Sequence, residues 1–358
     1  MCDPASLSDL RKRIDALDEQ IVQLVNKRAE IVCEIGRLKA REKASFYAPA
    51  REQEVYEHVV RSSAGPMSEK ALKAIFREIM SGCIELGEPL AIAYLGPVGT
   101  FTHWAARSKF GDSVQFVSCQ TMGEVFTEVE RKRADYGVVP VENSTEGGIR
   151  ETLARFLDSP LKVCAEIAFE IHHCLLARCK REQITKVYSK GTVFAQTRTW
   201  LRTNLPNAEL VDVASTSRGA ELAAKEQGAA AIGHISAAAV HGLDVLAHNI
   251  EDLSHNVTRF FVLGHHVSKP TGDDKTSILV SVKDKAGALH DLLTPFKKWG
   301  ISMTFIESFP SPKTAWQYYF FVDFLGHPEE EKTRPALERM EQECESFVVL
   351  GAYPRFKG

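Results

Sequence analysis

The stretch VVPVENSTEGGI, Val138 to Ile149, joins an apolar run to a cluster of small polar residues closed by two glycines. The run reads as a buried strand, and in an open α/β sheet ligands collect beyond the carboxyl ends of strands. The polar cluster is therefore a candidate ligand loop. The same pattern recurs at AIAYL-GPVGTFTHWAA, at Val213-Ala214-Ser215-Thr216 and in NIEDLSHNVTRFFVLG. Loops of this kind converging on one cleft would offer hydroxyls, amides and backbone N–H groups to a small oxygen-rich anion. Thr100 and Thr102 open a helix whose free N–H groups suit an anion, with simple capping by threonine as the lesser alternative. The GPVGT turn lacks the G-K-[ST] of a nucleotide loop.

Asn143-Ser144-Thr145 and Asn256-Val257-Thr258 are also glycosylation sequons. The N-terminus MCDPASLSDLRKR has no basic-then-apolar leader, and no apolar stretch approaches the ~18 residues of a membrane span. The chain is thus expected to be cytoplasmic and the sequons silent. Its 8 cysteines include no C-x-x-C pair and fit reduced thiols. His172, His173, Cys174 and Cys179 come nearest to a metal pattern, but CAEIAFEIHHCLLA reads more simply as extended sheet, and no metal or cofactor is expected.

Working outward, short apolar runs alternate with helix-like stretches from Leu90 to FFVLG, which implies α/β structure. Upstream the period changes. Leu7, Leu10, Ile14, Leu17, Ile21, Leu24, Ile31, Ile35 and Leu38 carry the spacing of one amphipathic helix from Ser6 to about Arg41, roughly 50 Å long. Such a helix outruns one small domain and should pair with another chain. Pro49 fits the first turn of a second helix to about Arg61, and the Gly65-Pro66 turn precedes a third from about Ser68 to Leu86. Downstream, HHVSKPTGDDK reads as a linker. Beyond it the order βαββαβ is the ferredoxin-like split unit. The expected domains are residues 1–89, all-α; 90–266, α/β; and 275–354, α+β. A length of 358 residues accommodates them, and 44 Lys+Arg against 47 Asp+Glu gives −3, which predicts no general attraction to nucleic acid or membrane.

Arg28 and Lys39 are eleven positions apart and share nearly one helix face, with Arg11 a quarter-turn away. Cations beside an apolar stripe either meet an anion or snorkel to solvent. With Arg51 and Glu52 in FYAPAREQEV, their type, order and spacing resemble the all-helical chorismate mutases over residues 7 to 88. The resemblance implies that Arg11 of a partner chain, Arg28 and Arg51 hold carboxylates of chorismate, Lys39 meets the ether oxygen, and Glu52 accepts from the substrate hydroxyl. Two positions depart from that family. Ala48 stands where Asp is usual, removing a helix N-cap. Gly87 stands where Gln or Glu approaches the ether oxygen, with Glu85 and Glu88 as neighbours.

GPVGTFT, PVENSTEGG, VFAQTRTWL, STSRGAELA with AAAIG, and NIEDLSHNVTRFF together resemble prephenate dehydratase over residues 90 to 266. That family has two α/β lobes in the manner of type II periplasmic binding proteins. Its Thr-Arg-Phe motif maps to Thr258, Arg259 and Phe260, with Thr258 as proton donor to the departing hydroxyl. Asn143 and Gln196 would orient the substrate, and Thr100, Ser215 and Thr216 would contact its carboxylate or hydroxyl. Arg259 either balances substrate charge or, by strand alternation, points away from Thr258. The segment YSKGTVFAQ departs from the usual Ser-His-Pro-Gln but keeps Gln196.

GALHDLL and IESFP resemble the ACT regulatory domain over residues 276 to 353. There Gly287, Ala288 and Leu289 would form one wall of a phenylalanine pocket between paired domains, and Glu307 and Ser308 another. Phe309 replaces the family's arginine and so removes guanidinium donors; feedback would then be weakened, altered or lost, and a dimerisation module is the alternative. The order of the units resembles the bifunctional chorismate mutase/prephenate dehydratases. Substrates chorismate and prephenate, phenylalanine as effector, and at least a homodimer are the implied partners. Still open are an arogenate substrate, a dehydratase whose mutase unit only dimerises, and a non-catalytic aromatic-ligand sensor. The iron-dependent aromatic hydroxylases share the ACT motifs, but their core is not evident.

Overall fold

The computed structural model describes residues 6–42, 48–87, 89–253, 255–282, 285–311 and 317–356, and the chain divides into two compact units. Glu88 lies outside the described residues. One unit comprises 1–48, 54–90 and 110–115; the other comprises 49–53, 91–109 and 116–358.

Helix α1 (Leu7–Glu42) follows the predicted apolar periodicity almost residue for residue. Helix α2 (Pro49–Ser62) starts with proline in its first turn, where no N–H is needed, and Ala48 at its N-cap makes no side-chain bond. Helix α3 (Glu69–Glu85) is capped by Ser68, which accepts from Ala71 N–H. α3 packs against α1, and Ala29, Val59 and Cys83 are buried in this unit. The apolar stripe of α1 is not. Its nine predicted residues, from Leu7 to Leu38, remain 43% to 66% exposed in the single chain.

The second unit holds three sheets. In the first, β1 (Ala91–Leu95), β2 (Gln115–Cys119), β3 (Tyr136–Asn143), a two-residue β4 (Gly147–Gly148) and β5 (Lys162–Glu170) are joined by a late strand. The second contains β6 (Cys174–Ala177), β7 (Lys186–Ser189), β8 (Glu209–Asp212), β9 (Ala229–Gly233) and β10 (Asp244–Ala247), in the order β10-β6-β9-β7-β8. The late strand, β11 (Val257–Gly264), runs antiparallel between β3 and β5. The run CAEIAFEIHHCLLA is therefore extended but split between two sheets.

The chain crosses between lobes twice, and the crossings pair: Ile171 N–H donates to Asn256 O at 2.7 Å and Ile250 N–H to His173 O at 2.9 Å. Such a double crossover is a two-lobed hinge. The third sheet, β12 (Asp274–Ser281), β13 (Met303–Pro310), β14 (Tyr318–Leu325) and β15 (Ser346–Pro354), has the order β13-β14-β12-β15 with two helices on one face, the ferredoxin-like unit. Its other face shares a core with the first lobe, where Phe321, Phe309 and Tyr353 pack with Val139, Leu153 and Phe261. No helix among the described residues is long and apolar enough to cross a membrane.

Candidate active site

Asn143 ends β3, Thr258 opens β11, and the antiparallel register sets them opposite each other. Asn143 Nδ2 donates to Thr258 Oγ1 at 2.9 Å and to Asn256 Oδ1 at 2.9 Å. Its Oδ1 accepts from the Thr145 N–H at 2.9 Å and the Thr145 hydroxyl at 2.6 Å. A backbone N–H can only donate, so it fixes which end of the Asn143 amide faces Thr145 and leaves the NH2 group for Thr258.

Gln196 closes the short helix Gly191–Gln196. Its Nε2 donates to Thr145 Oγ1 at 3.3 Å and Glu146 Oε1 at 3.0 Å, and its Oε1 accepts from Asn256 Nδ2 at 3.0 Å. The bonds form a one-way ring: Gln196 to Thr145, Thr145 to Asn143, Asn143 to Asn256, Asn256 back to Gln196. Thr258 enters this ring as an acceptor, which leaves its own O–H to donate elsewhere. A ring of this kind holds every member in one rotamer because each has a single compatible direction.

His173 Nε2 lies 2.8 Å from Gln196 Oε1. An amide oxygen only accepts, so the His173 proton sits on Nε2. Burial pushes the His173 pKa down and keeps the ring neutral; its Nδ1 is buried without a hydrogen-bond partner among the described residues. Phe101 packs edge-on against His173 and His234, at 5.7 and 5.5 Å between ring centres. Burial, reinforced by the nearby His172 and His173, pushes His234 down to about 4. His173 thus adjoins the polar ring as a neutral imidazole, with His234 across Phe101 from it. His172 instead pairs with Glu251 at 2.8 Å, and among the described residues no group of three or more His, Cys, Asp or Glu could hold a metal.

None of the ring's hydrogen bonds involves Thr100, Ser215 or Thr216. The Thr100 hydroxyl donates to Leu95 O at 3.0 Å and accepts from His103 N–H at 3.3 Å, the capping arrangement rather than an open anion site. Ser215 caps the helix Thr216–Ala223 by accepting from Arg218 N–H, with Thr216 buried behind it. That helix touches the first lobe where the Ser217 hydroxyl donates to Val98 O at 2.6 Å. Arg259 lies on the opposite side of β11 from Thr258. Its guanidinium meets Glu142 at 3.0 Å, Glu166 at 3.5 Å and Asp323 at 2.5 Å, so a direct charge-balancing contact to a ligand at the ring is not supported. Strand alternation decides this.

Residues 92–268 match the prephenate dehydratase family model, 10–88 match chorismate mutase type II, and 276–342 match the ACT domain. The chain is 45% identical to the bifunctional chorismate mutase/prephenate dehydratase of Aquifex aeolicus, over 98% of each chain. It is 42% identical to that of Pseudomonas aeruginosa, over 99% of each. A solved prephenate dehydratase from Arthrobacter aurescens, in complex with L-Phe, superposes with a TM-score of 0.69 at 32% identity, covering 74% of this chain and 90% of that one. The chain belongs to the bifunctional chorismate mutase/prephenate dehydratase family.

Residues that the family's mutase region would use are distributed as follows. Arg11 is exposed on α1. Arg28 is half-buried with Nη1 at 3.2 Å from Cys83 Sγ, and burial lowers the pKa of Lys39. Arg51 is exposed, whereas Glu52 is buried and ion-paired with Lys109 at 2.7 Å. In the family's ACT region, Gly287 has φ +82° at the start of the helix Ala288–Trp299, and a Cβ there would meet nothing within 4 Å. Ala288 is buried, while Leu289 and Ser308 are exposed. Glu307 pairs with Arg150 at 3.3 Å. Phe309 is buried and stacks on Tyr319 at 6.1 Å, so the ring that replaces arginine serves the core shared with the first lobe.

Thr145 and Asn256 entered the sequence reading as sequon members and His173 as part of a metal-like pattern, none of them with an assigned role at the site. A signal did exist for two of them. Asn143 and Thr145, like Asn256 and Thr258, are two residues apart, the spacing that puts side chains on one face of an extended chain.

Proposed function

We propose that this chain converts chorismate to prephenate and prephenate to phenylpyruvate, with phenylalanine as its effector. The assignment rests on three functional units, residues 1–89, 90–266 and 275–354, working in a cytoplasmic homodimer or larger assembly without a cofactor. In the first, Arg28 and Arg51 grip chorismate carboxylates together with Arg11 of a second copy. Lys39 stabilises the charge that develops on the ether oxygen, and Glu52 accepts from the hydroxyl; catalysis is restraint and electrostatics with no nucleophile. The exposed α1 stripe supports a second copy as its cover.

In the second unit, Thr258 gives its hydroxyl proton to the ring hydroxyl of prephenate as it leaves as water, and takes a proton back from solvent afterwards. The C–CO2 bond breaks as the C–O bond does, its electron pair enters the ring, and carbon dioxide and water depart. Aromatisation supplies most of the drive, so a weak acid in the right place suffices. Asn143 and Gln196 orient the substrate; the hydroxyls of Thr100 and Ser215 are engaged in capping and Thr216 is buried, so none of the three is assigned a substrate contact. The observation that carries this reading is the direction of the Asn143 bond: the amide donates to Thr258 Oγ1, which turns the threonine proton outward. In the third unit, Gly287, Ala288 and Leu289 wall the phenylalanine site with Glu307 and Ser308; the exposure of Gly287, Leu289 and Ser308 in one chain supports completion by a second.

The test supplies the purified protein with chorismate alone and follows chorismate, prephenate and phenylpyruvate, with and without phenylalanine. Steady phenylpyruvate supports both activities. Untouched chorismate with consumption of added prephenate would remove the mutase assignment and leave the dehydratase.

A further inference from the structure

An ion cluster occupies the side of β3 and β11 turned away from the hydrogen-bonded ring. Arg259 contacts Glu142, Glu166 and the fully buried Asp323, and Lys275 contacts Glu166 at 2.7 Å. The guanidinium lies 5.2 Å from the rings of both Phe261 and Phe305. Asp323 also accepts from the Ser277 hydroxyl at 2.5 Å, and Ser277 lies 2.7 Å from the Tyr353 hydroxyl. Asp323, Ser277, Lys275, Phe305 and Tyr353 belong to the ferredoxin-like sheet; Glu142, Glu166, Arg259 and Phe261 belong to the first lobe.

Such a cluster is weak evidence of stabilisation. Desolvating a set of charges costs as much as their attraction returns, and apolar side chains of the same volume would hold two sheets together as well. Location is more informative. The register pairs Arg259 with Glu142 and Thr258 with Asn143, so alternate residues of the same two strands face the cluster and the ring. A second contact meets the same place from the same sheet. β4 pairs with β3 at Glu142 and Asn143, and a Cβ on its Gly148 would come within 3.0 Å of Glu307. Glu307 is in turn bound to Arg150.

We infer that Arg259 is a positioning residue, pinned by Asp323, through which the C-terminal sheet sets the placement of Asn143 and Thr258. A shift of that sheet moves Asp323 and Glu307 together and thereby displaces both site strands, giving the sheet direct control over dehydration. The inference rests on the dehydratase reading above.

The test uses the full chain with Asp323→Asn, which keeps shape but removes the charge, and Arg259→Lys, which keeps the charge but cannot span three carboxylates. The expected result is a fall of about tenfold in kcat for prephenate with KM held within about threefold, and chorismate turnover unchanged as an internal control. Misplacement of a reacting group affects kcat, whereas general loosening lowers KM-dependent binding and thermal stability alike. Wild-type kcat in Asp323→Asn overturns the inference, as does a fall in kcat accompanied by a rise in KM and a fall in chorismate turnover in the variant Ser277→Ala, used if Asp323→Asn does not fold. If the unaltered protein leaves prephenate intact, the dehydratase reading itself fails, which is a separate result.

Discussion

The hydrogen-bonded ring at the hinge and the apolar stripe of α1 leave opposite accounts open. In the ring, each donor of Asn143, Thr145, Gln196 and Asn256 finds an acceptor within the same chain, so one copy builds the arrangement completely. Along α1, one copy leaves apolar side chains from Leu7 to Leu38 in water. Covering them would recover roughly 25 cal/mol for each square ångström. One region is finished by folding, whereas the other stays exposed in the single chain. The difference follows from geometry: extended strands from distant parts of the chain return to one another, whereas a single long helix cannot cover its own stripe.

The largest effect should come from the ring. Thr258→Ala removes the one outward hydroxyl and should lower kcat for prephenate by about 10² to 10⁴, with KM changed little, while Thr258→Ser retains most of the rate. Steady-state kinetics checks this, and an active Thr258→Ala would break the claim that the ring exists to aim that hydroxyl. Association is probed next. If a second copy covers the stripe as proposed, Leu17→Asp with Leu24→Asp should give a smaller species by analytical ultracentrifugation and reduce chorismate turnover at least about tenfold, since the proposed Arg11 contact from that copy would be lost. Dehydration of added prephenate should persist, because the ring needs no partner. Equal loss of both activities would erase the contrast.

A pH effect sharpens the description of the ring's neighbours. The His234 pKa is lowered from 6.5 to about 4, so between those values the unfolded chain takes up a proton that the folded chain refuses. Stability from this group is complete above about pH 6.5 and declines as pH falls towards about 4, by about 3 kcal/mol in all. Urea unfolding at pH 7 and pH 5 should show this slope, and His234→Phe should flatten it. The smallest effect belongs to the helical region: Ala48→Asp supplies the missing cap of α2 and should stabilise the protein by about 0.5 to 2 kcal/mol, read as a rise in urea midpoint.

Elements with strong periodicity were legible before any coordinates. Nine apolar positions marked α1 from its first turn to its last, Pro49 and Ser68 marked the starts of α2 and α3, and the alternation past the linker gave the βαββαβ unit. Less legible were side chains whose partners are remote in sequence. Thr100 reads as an anion ligand or as a cap, and only its distance to Leu95 O distinguishes the two. Phe309 reads as a lost effector contact, yet its burial against the first lobe comes from the fold of the C-terminal sheet onto that lobe. CAEIAFEIHHCLLA shows extended texture, but its passage from one sheet to another depends on β11 returning to pair with β5.

By itself the sequence determined the local periods, the breaks between them, and the types of residue gathered in each motif, because these depend on near neighbours and on the geometry of one turn or one pleat. It even carried half the ring: each sequon sets an amide and a hydroxyl two residues apart on one side of an extended chain. Only the tertiary structure decided that the two sequons face each other, that Gln196 and His173 close them, and that Arg259 turns from the ring to Asp323. These pairings span more than a hundred residues at Asn143 and Thr258. No local propensity encodes them. They arise when β11 inserts between β3 and β5, a register fixed by burial of Phe260, Phe261, Val262 and Leu263 along the whole strand.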